Sequence, residues 1–412
     1  AGVAEGVDGV YSNVAAPGVR ATYSSRHVDF DLTASVTFPG SFSSTDFENR
    51  GTLPRGSANA SDFVYGTAGT LLQVGPFGAA LTLDATSYTL QSPNANTINF
   101  RLLRAHAIVA WAFLKYQLIV GVGVQGVTMN LASSAIPLAP PSGVAPEAGM
   151  LLRLDDQPWR LGISARAPVV GGVSGDQASI AGKILPSSVV SPGEIEVGFA
   201  LQLGPRPLNP RWIDPSSELA PLREKIEGER ETRQKKDDAA IAKTPDGPAR
   251  EATRRKLDAR ERAIRSVEDA RIDTEEKRIH EAHEARFANW PRPRLLVVAD
   301  ALITAPVGDA VAVSSFLDQV QESYGRSWTI SPRLGLEGEP FPDRFRLRFG
   351  SYLEPSLFDG GSARQHFTFG GDLKLFAWDF FGILERTTWQ LSFAADLAPR
   401  YTNWGLSLGV WH

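Results

Sequence analysis

The sequence predicts an all-β transmembrane antiparallel barrel of about 14 strands, interrupted by an inserted α-helical hairpin. Three observations carry that expectation. Residues on both sides of a central charged stretch alternate apolar and polar with period two. The alternating runs reach ten residues or more, and tight turns alternate with long loops along the chain. Alternation alone fits a soluble sandwich as well as a barrel. Length favours the barrel: tilted spans of about 9–11 residues cross a bilayer, whereas ordinary strands cluster near 5–6.

Charge distribution points the same way. The 412 residues include 42 basic and 46 acidic side chains, for a formal net charge of −4. Between residues 218 and 286 there are 18 of each sign, leaving 52 charges for the other 343 residues. That remainder is far sparser in charge than the ~25% of an ordinary soluble domain. With no basic stripe, no nucleic-acid partner is expected. The absence of cysteine excludes a disulfide scaffold, a zinc–thiolate site and a cysteine nucleophile. The chain opens at Ala1 without an apolar leader, as expected of a processed form. Its most apolar stretch, Ala107–Val124, is split by Lys115, Tyr116 and Gln117 into runs too short for a spanning helix of about 20 residues.

Strands are expected near 28–38, 62–74, 78–91, 97–113, 117–130, 145–155, 159–168 and 194–204, and, beyond the charged stretch, near 292–304, 328–339, 344–354, 366–377, 387–396 and 401–412. In the first, Val28, Phe30, Leu32, Ala34 and Val36 make the lipid face, while Asp29, Asp31, Thr33 and Ser35 make the luminal one. The eighth puts Ile195, Val197, Phe199 and Leu201 outside and Glu196 inside. The eleventh puts Phe345, Leu347 and Phe349 outside, with Arg346 and Arg348 inside. In the last, Trp404, Leu406, Leu408 and Val410 are expected toward lipid and Asn403, Ser407 and Trp411 inward. Short turns at Leu114–Tyr116, Asp155–Pro158 and Pro340–Asp343 contrast with long loops at 39–61, 169–193 and 305–327. An even strand number puts both ends on the short-turn, periplasmic side, and a barrel of this girth needs a plug if it is not to leak.

The insert, residues 205–291, separates strands 1–8 (28–204) from strands 9–14 (292–412). Ser216–Lys243 and Ala249–Ala288 are rich in helix formers, and Thr244-Pro245-Asp246-Gly247-Pro248 between them reads as a turn. Opposite charges fall four apart at Glu229/Arg233, Glu231/Lys235, Glu251/Arg255, Asp258/Arg262, Glu261/Arg265 and Asp273/Lys277. A thin apolar seam comprises Leu219, Leu222, Ile226, Leu257, Ile264, Val267 and Ile272. A solvated hairpin in the periplasm is expected.

The segment Ala4-Glu5-Gly6-Val7-Asp8-Gly9-Val10-Tyr11-Ser12-Asn13-Val14-Ala15-Ala16, running into a strand and Phe38-Pro39-Gly40, resembles the start of long-chain fatty acid transporters (FadL/OmpP1) and PorV-like outer-membrane barrels. Gly350-Ser351-Tyr352-Leu353-Glu354-Pro355-Ser356 is similar to a late strand-to-loop segment of that family. The family's Asn-Pro-Ala-Gly core reads Asn13-Val14-Ala15-Ala16 here, without the proline, and the insert has no counterpart. The resemblance implies a luminal hatch over residues 1–27, with Glu5, Asp8 and Asn13 as hatch residues. It also implies a Gram-negative outer membrane and passage of hydrophobic small molecules, or, for PorV-like members, a role in protein secretion.

Strands three and four carry one irregularity. Leu81, Leu83 and Ala85 are outward with Thr82, Asp84 and Thr86 inward, yet Tyr88 and Leu90 form the next apolar pair. Likewise Ile98, Phe100 and Leu102 are expected outward, with Asn99 and Arg101 inside. Beyond them Ala105, Ala107, Val109, Trp111 and Phe113 become the outward set, leaving Arg104 and His106 inside. Residues 86 and 102 fall opposite, so both phase flips sit at one height, as paired bulges require. Such bulges adjust twist; in the resembling transporters, a kink in the third strand is a sideways exit. Asp84, Arg101, Arg104 and His106 would line such a gap, and uninterrupted pairing of 80–90 with 98–110 would exclude it.

Other motifs resolve as structure. Gly121-Val122-Gly123-Val124-Gln125-Gly126 matches a dinucleotide fingerprint but lies inside a strand rather than before a helix. Gly405-Leu406-Ser407-Leu408-Gly409 matches a nucleophile elbow without the following helix or downstream histidine. His280 and His283 with Glu276 and Glu284 have metal-ligand types in a stretch better read as a solvated face. No enzyme, cofactor or metal is expected. Two functions remain: a plugged channel for hydrophobic or amphipathic molecules, with membrane lipids around it, and an envelope anchor whose residues 216–288 dock a protein partner.

Overall fold

The structure, a computed structural model, describes residues 1–20, 24, 26–39, 46, 48–51, 59–91, 97–133, 136–137, 142–171, 179–180, 183–184, 189–291, 294–307, 324–380 and 384–411. Fourteen strands form the barrel: β1 Val28–Pro39, β2 Asn59–Val74, β3 Phe77–Gln91, β4 Thr97–Phe113, β5 Leu118–Ser133, β6 Ser142–Leu152, β7 Trp159–Arg166, β8 Glu194–Leu203, β9 Leu295–Thr304, β10 Thr329–Phe341, β11 Phe345–Glu354, β12 Arg364–Phe380, β13 Leu384–Ala398 and β14 Tyr401–Val410. Each neighbours the next in sequence, and β14 pairs with β1 through Thr33↔Gly409 to Pro39↔Asn403, which closes the sheet. Much of the long connections 39–61, 169–193 and 305–327 lies outside the described residues.

The tight turns follow from backbone chemistry. Leu114, Lys115 and Tyr116 take φ of 50°, 57° and 70° in succession, and Asp156 and Asp343 take 61° and 58° at two other turns. Aspartate tolerates the left-handed region because its short side chain bonds locally.

Wall polarity is inverted relative to a soluble domain. Leu81, Val122, Leu161, Val197, Leu336 and Leu406 lie exposed on the outside, while Asp31, Thr82, Asp84, Gln125, Glu147, Ser164 and Glu196 are buried facing inward. An apolar outside with polar groups turned inward is the pattern of a bilayer-spanning barrel. Among the described residues no helix is long and apolar enough to cross a membrane.

Two expectations fail. The β3–β4 ladder runs without a shift from Phe77↔Trp111 to Gln91↔Thr97, so there are no paired bulges and no wall gap between these strands. The alternation keeps one phase instead: Tyr88 lies on the face of Asp84, Phe100 is buried, and Arg101 is exposed on the outer face rather than lining the lumen. Leu90 and Ile98 have side chains outside the described set. What looked like a flip is apolar residues turned into the lumen. The bulge in this part of the wall is in β2, where pairing with β3 steps from Ser61↔Thr89 to Val64↔Ser87, so that Asp62 and Phe63 together oppose Tyr88. Asp62 takes a φ of 55° there, and an extra residue bends the strand locally. In β14, Trp404, Leu406 and Leu408 are exposed as expected, but Val410 is only 6% exposed. It lies opposite Trp389, itself 6% exposed and 6.4 Å from Trp378, so aromatic rings crowd this corner of the outer face.

A second compact unit comprises Thr22–Asp29 and Trp212–Trp290. It contains α1 Pro215–Lys243 and α2 Pro248–Ala288, each beginning with proline at its first position, where a missing N–H costs nothing. Asp214 caps α1, accepting from Ser216 N at 2.9 Å, while His27 Nδ1 lies 3.0 Å from the same carboxylate. Trp212 Nε1 donates to Ser24 O at 3.0 Å. Leu219, Ile226 and Ile279 form the buried seam, whereas Val267, expected in it, is 63% exposed. The helices are joined chiefly by charge. Arg230 meets Glu268 at 2.7 Å and Asp269 at 2.6 Å; Arg233 meets Glu268 at 2.7 Å and Glu261 at 3.1 Å. Thus Arg233 crosses the hairpin instead of pairing with Glu229; of the expected pairs, Glu251–Arg255 and Glu261–Arg265 form at 3.2 and 2.9 Å. The histidines pair with carboxylates rather than with one another, His283 with Glu218 at 2.8 Å and His280 with Glu284 at 3.0 Å.

Lipid and lumen faces respond differently to a charge. Leu32→Arg at mid-depth should destabilise the barrel by roughly 2–4 kcal/mol, read as loss of the heat-modifiable band or a lower urea midpoint. Ser35→Arg, facing inward, should leave both near wild type; equal damage from the two would reverse the assignment of faces.

The base of the hairpin should be acid-sensitive. Burial opposes ionisation of Asp214, but hydrogen bonds from His27 and Ser216 hold its carboxyl below the usual range. A depressed folded value gives stability that is complete above the unfolded value of about 4 and is lost as pH falls through the folded one. Helix melting followed by circular dichroism should therefore be flat above about pH 5 and decline below about pH 4. Asp214→Ala should flatten that acid limb and lower helix stability by about 1 kcal/mol.

Candidate functional site: the lumen and its N-terminal segment

Ala1–Arg20 lies against the inward faces of β1–β9, passing through two short 3₁₀ turns, Asp8–Tyr11 and Ala16–Gly18. Its composition explains the fit. Small residues leave the backbone thin enough to lie flat on a sheet, and Ala4, Val7, Val10, Val14 and Ala16 are buried together with Leu71, Ala80 and Ile108 of the wall. The wall in turn presents glycine where the segment touches it. A Cβ at Gly78 would collide with Pro17 O, and one at Gly121 with Val14 O. The dinucleotide-like Gly121 is therefore a notch for a neighbouring backbone, the close approach that glycine uniquely permits.

Polar groups fasten the segment. Asn13, fully buried, donates to Ala1 O and Met150 O at 3.1 Å each and accepts from Ala15 N at 2.9 Å. Val7 N donates to Asp31 Oδ2 at 2.8 Å, and Gln73 Nε2 donates to Pro17 O and Val19 O at 2.8 and 2.7 Å. Arg160 meets Glu5 at 2.5 Å. Burial opposes ionisation of Glu5, yet Arg160, with Arg153 and Arg294, holds its carboxyl below the usual range. Arg166 donates to Val10 O and Tyr11 O at 3.2 and 2.8 Å and to Glu147 Oε2 at 3.3 Å. The Ala1 amino group lies 3.0 Å from Glu196 and 2.5 Å from Asp300. Stripping any one partner from such a buried pair costs about 1–3 kcal/mol, so the segment does not leave the wall in a single cheap step.

The other expected residues are distributed around this core. His106 Nδ1 lies 3.1 Å from Glu147, with the Tyr11 ring edge-on at 5.9 Å. Arg104 pairs with Asp84 at 2.8 Å. Arg348 bridges Glu337 at 2.8 Å and Asp372 at 2.6 Å, while Arg346 lies 3.4 Å from Glu339 and stacks over the Trp411 ring at 4.1 Å. Asp29 is half-buried on the face of β1 that carries Asp31, and Asp8 is exposed toward a cavity of about 620 Å³ lined also by Asp300, Arg333, Glu337, Arg348 and Asn403. The segment fills one side of the lumen and leaves this space beside β9–β14. Glu147, Arg160, Arg166, Gln73 and Asp372 were absent from the sequence expectations, although Arg160, Ser164 and Arg166 sit at inward alternate positions of β7 and were open to the same counting. Among the described residues no group of three histidine, aspartate or glutamate side chains is arranged to hold a metal ion.

One luminal zone is aromatic. Tyr88 and Phe100 stack at 4.6 Å, and the β2 bulge brings the Phe63 ring to 6.0 Å from Tyr88. These rings lie on β2–β4 near the long-loop end, several residues beyond Asp84 and Arg104. At the same end, Arg364 donates to Asp46 O at 2.7 Å, Asn49 donates to Glu354 O at 2.9 Å and Ser356 donates to Asn49 O at 2.6 Å. The described part of the first long loop is thereby tied to β11 and β12 across the mouth.

Against known proteins, no family profile and no curated sequence matches the chain. Among solved structures, the CymD monoaromatic hydrocarbon channel aligns over all of this chain and 93% of its own length, with a TM-score of 0.51 at 9% identity. The two folds are alike. The P. putida toluene transporter TodX aligns at TM-score 0.49 and 13% identity, over 99% of this chain and 95% of TodX. A Pseudomonas aeruginosa FadL homologue aligns at 0.47 and 9%, over 93% and 90%. The barrel expected of this chain is thus met, at the level of the fold, by the CymD channel.

The notches supply a direct check on how the segment is seated. Gly78→Val should unseat Ala1–Arg20 while the barrel still folds, since the β3 backbone is otherwise unchanged. Limited proteolysis should then cut within residues 1–20, with the heat-modifiable barrel retained. Protection equal to wild type would show that the contact at Pro17 is not needed.

Proposed function

We propose that this protein is a channel of a Gram-negative outer membrane that admits hydrophobic or amphipathic small molecules past the N-terminal segment, which acts as a hatch. The observation that carries the reading is the inward-facing aromatic cluster of Phe63, Tyr88 and Phe100, which stands apart from the apolar wall residues that the N-terminal segment covers. Aromatic faces turned away from lipid gain nothing from the bilayer, but they give an apolar solute a place to leave water. Below them the fastened hatch denies an open aqueous path, so a solute must pass by way of bound positions. The fold shared with a hydrocarbon channel supports the same reading. With the β3–β4 ladder intact, the route is taken through the lumen, and the charged cavity beside β9–β14 is the space available to it.

The second reading, an envelope anchor, draws on the hairpin. A channel for small solutes has no use for two helices of 29 and 41 residues joined by cross-helix ion pairs, whereas a docking arm has. The two readings separate in one experiment. In liposome swelling or whole-cell uptake of a monoaromatic probe, Tyr88→Ser with Phe100→Ser should lower uptake at least threefold. Deletion of 216–288 should leave uptake intact. Loss of uptake on hairpin deletion, with the aromatic variant unaffected, would overturn the channel reading and favour the anchor.

A further inference from the structure

The outer wall is not uniform. On most strands the outward positions carry large apolar side chains, but across β6 and β7 they carry Pro146, Ala148 and Ala165. Ala148 and Ala165 lie directly opposite each other, with Val122 of β5 opposite Ala148 and Ile195 of β8 opposite Ala165. Two small residues are therefore flanked in the same row by two large ones. One step toward the short-turn end, Met150 and Ile163 face each other and restore the wall's full thickness. The result is a trough of about 570 Å³ on the outside of the barrel, with Trp328 at its far lip. Three charged residues stand at its inner margin: Glu147 and Arg166, 3% and 9% exposed, are paired to each other, and Glu194 lies 3.9 Å from Arg166, so none of the three is left single.

We propose that this trough is a binding site for one acyl chain of a phosphate-bearing membrane lipid. The trough is continuous with the lipid-facing band, since Val122 and Ile195 on its flanks and Met150 and Ile163 below it are all exposed there. Its lining presents almost no hydrogen-bonding group. Pro146, in the middle of β6, has no N–H to offer, and alanine side chains have no polar atom. A chain of methylenes is the occupant that fills such a space without stranding a polar group. The lip adds the second element. Trp328, 63% exposed, is an amphipathic ring of the kind that sits at the headgroup level. Arg326, two residues before Trp328, is exposed and forms no ion pair among the described residues. An arginine beyond the end of an acyl trough matches a phosphate by charge and by its planar fork of donors.

The test uses the full chain in detergent micelles doped with phosphatidylglycerol, or with phosphatidylcholine as the zwitterionic comparison, and counts bound lipid by native mass spectrometry. One phosphatidylglycerol should remain per barrel under conditions that strip the others. Ala165→Phe, which fills the trough from the lipid side, should reduce that retention at least fivefold. Arg326→Ala should bring phosphatidylglycerol down to the phosphatidylcholine level without abolishing chain binding. Leu81→Phe, elsewhere on the outer face, should change nothing. If Ala165→Phe fails to give a heat-modifiable barrel, Ala165→Leu takes its place. Retention unaltered by the trough variants overturns the proposal, as does one-for-one displacement of the lipid by a monoaromatic probe, which would make the trough a solute site.

Discussion

A backbone in hydrocarbon has no water to bond, so every N–H and C=O of a spanning segment must find a partner within the protein. Much of this structure follows from that constraint. It is met by closing the sheet on itself, with β14 returning to β1, so that no spanning edge is left unpaired. Closure fixes an inside and an outside, and the period-two geometry of each strand then assigns every residue to one or the other. Bulges must be few within such a wall because each leaves ladder groups without partners. The bulges lie toward strand ends, where turn, loop and water can supply them: that of β2 near the long-loop end, those of β10 and β12 toward the short-turn end, while the β3–β4 ladder is unbroken throughout.

Closure creates a second problem, since fourteen strands enclose more space than inward side chains alone fill. The chain answers with its own first twenty residues and with glycine in the wall. Removing side chains from the wall at Gly78 and Gly121 lets one backbone rest on another; Gln73 then donates to Pro17 O and Arg166 to Tyr11 O, while Arg20 of the segment donates back to Gly75 O. Where the segment lies against them, polar wall residues such as Asp31, Gln73, Arg160 and Glu196 serve twice: they are inward because the outside is lipid, and the segment supplies their partners. That coupling explains why so many charged groups in the lumen are found in pairs rather than singly.

The strand count and the inner positions of Asp31, Asp84, Arg104, His106, Glu196, Arg346 and Arg348 were legible from alternation alone, because lipid enforces it. The places where sequence reading failed are those where alternation carries no information. Phe100 and Tyr88 are apolar and inward, so hydropathy assigned them to the wrong face and manufactured a phase flip; Arg101 was carried inward with them. An aromatic turned toward the lumen cannot be told from one turned toward lipid without the register of its neighbours. The hatch contacts were invisible for a different reason. A glycine that admits a neighbouring carbonyl and a glycine that merely leaves space read identically in sequence, as Gly121 and Gly126 show.

The helical unit obeys a different solvent and so a different rule. Its helices bury little apolar surface, and ion pairs in water contribute only about 0–1 kcal/mol each. Arg230 and Arg233, however, are shared among Glu261, Glu268 and Asp269, and Glu268 is 4% exposed. A network around one buried carboxylate specifies how the helices align better than separate pairs along each helix would, because a slipped alignment strands that charge. An apolar seam of Leu219, Ile226 and Ile279 alone would tolerate slippage between similar side chains. The barrel is thus set in register by lipid, which punishes an outward polar group, and the hairpin by water, which leaves alignment to the few carboxylates it does not reach. One chain uses the same currency of buried polar groups in both solvents, with the sign of the surrounding surface reversed.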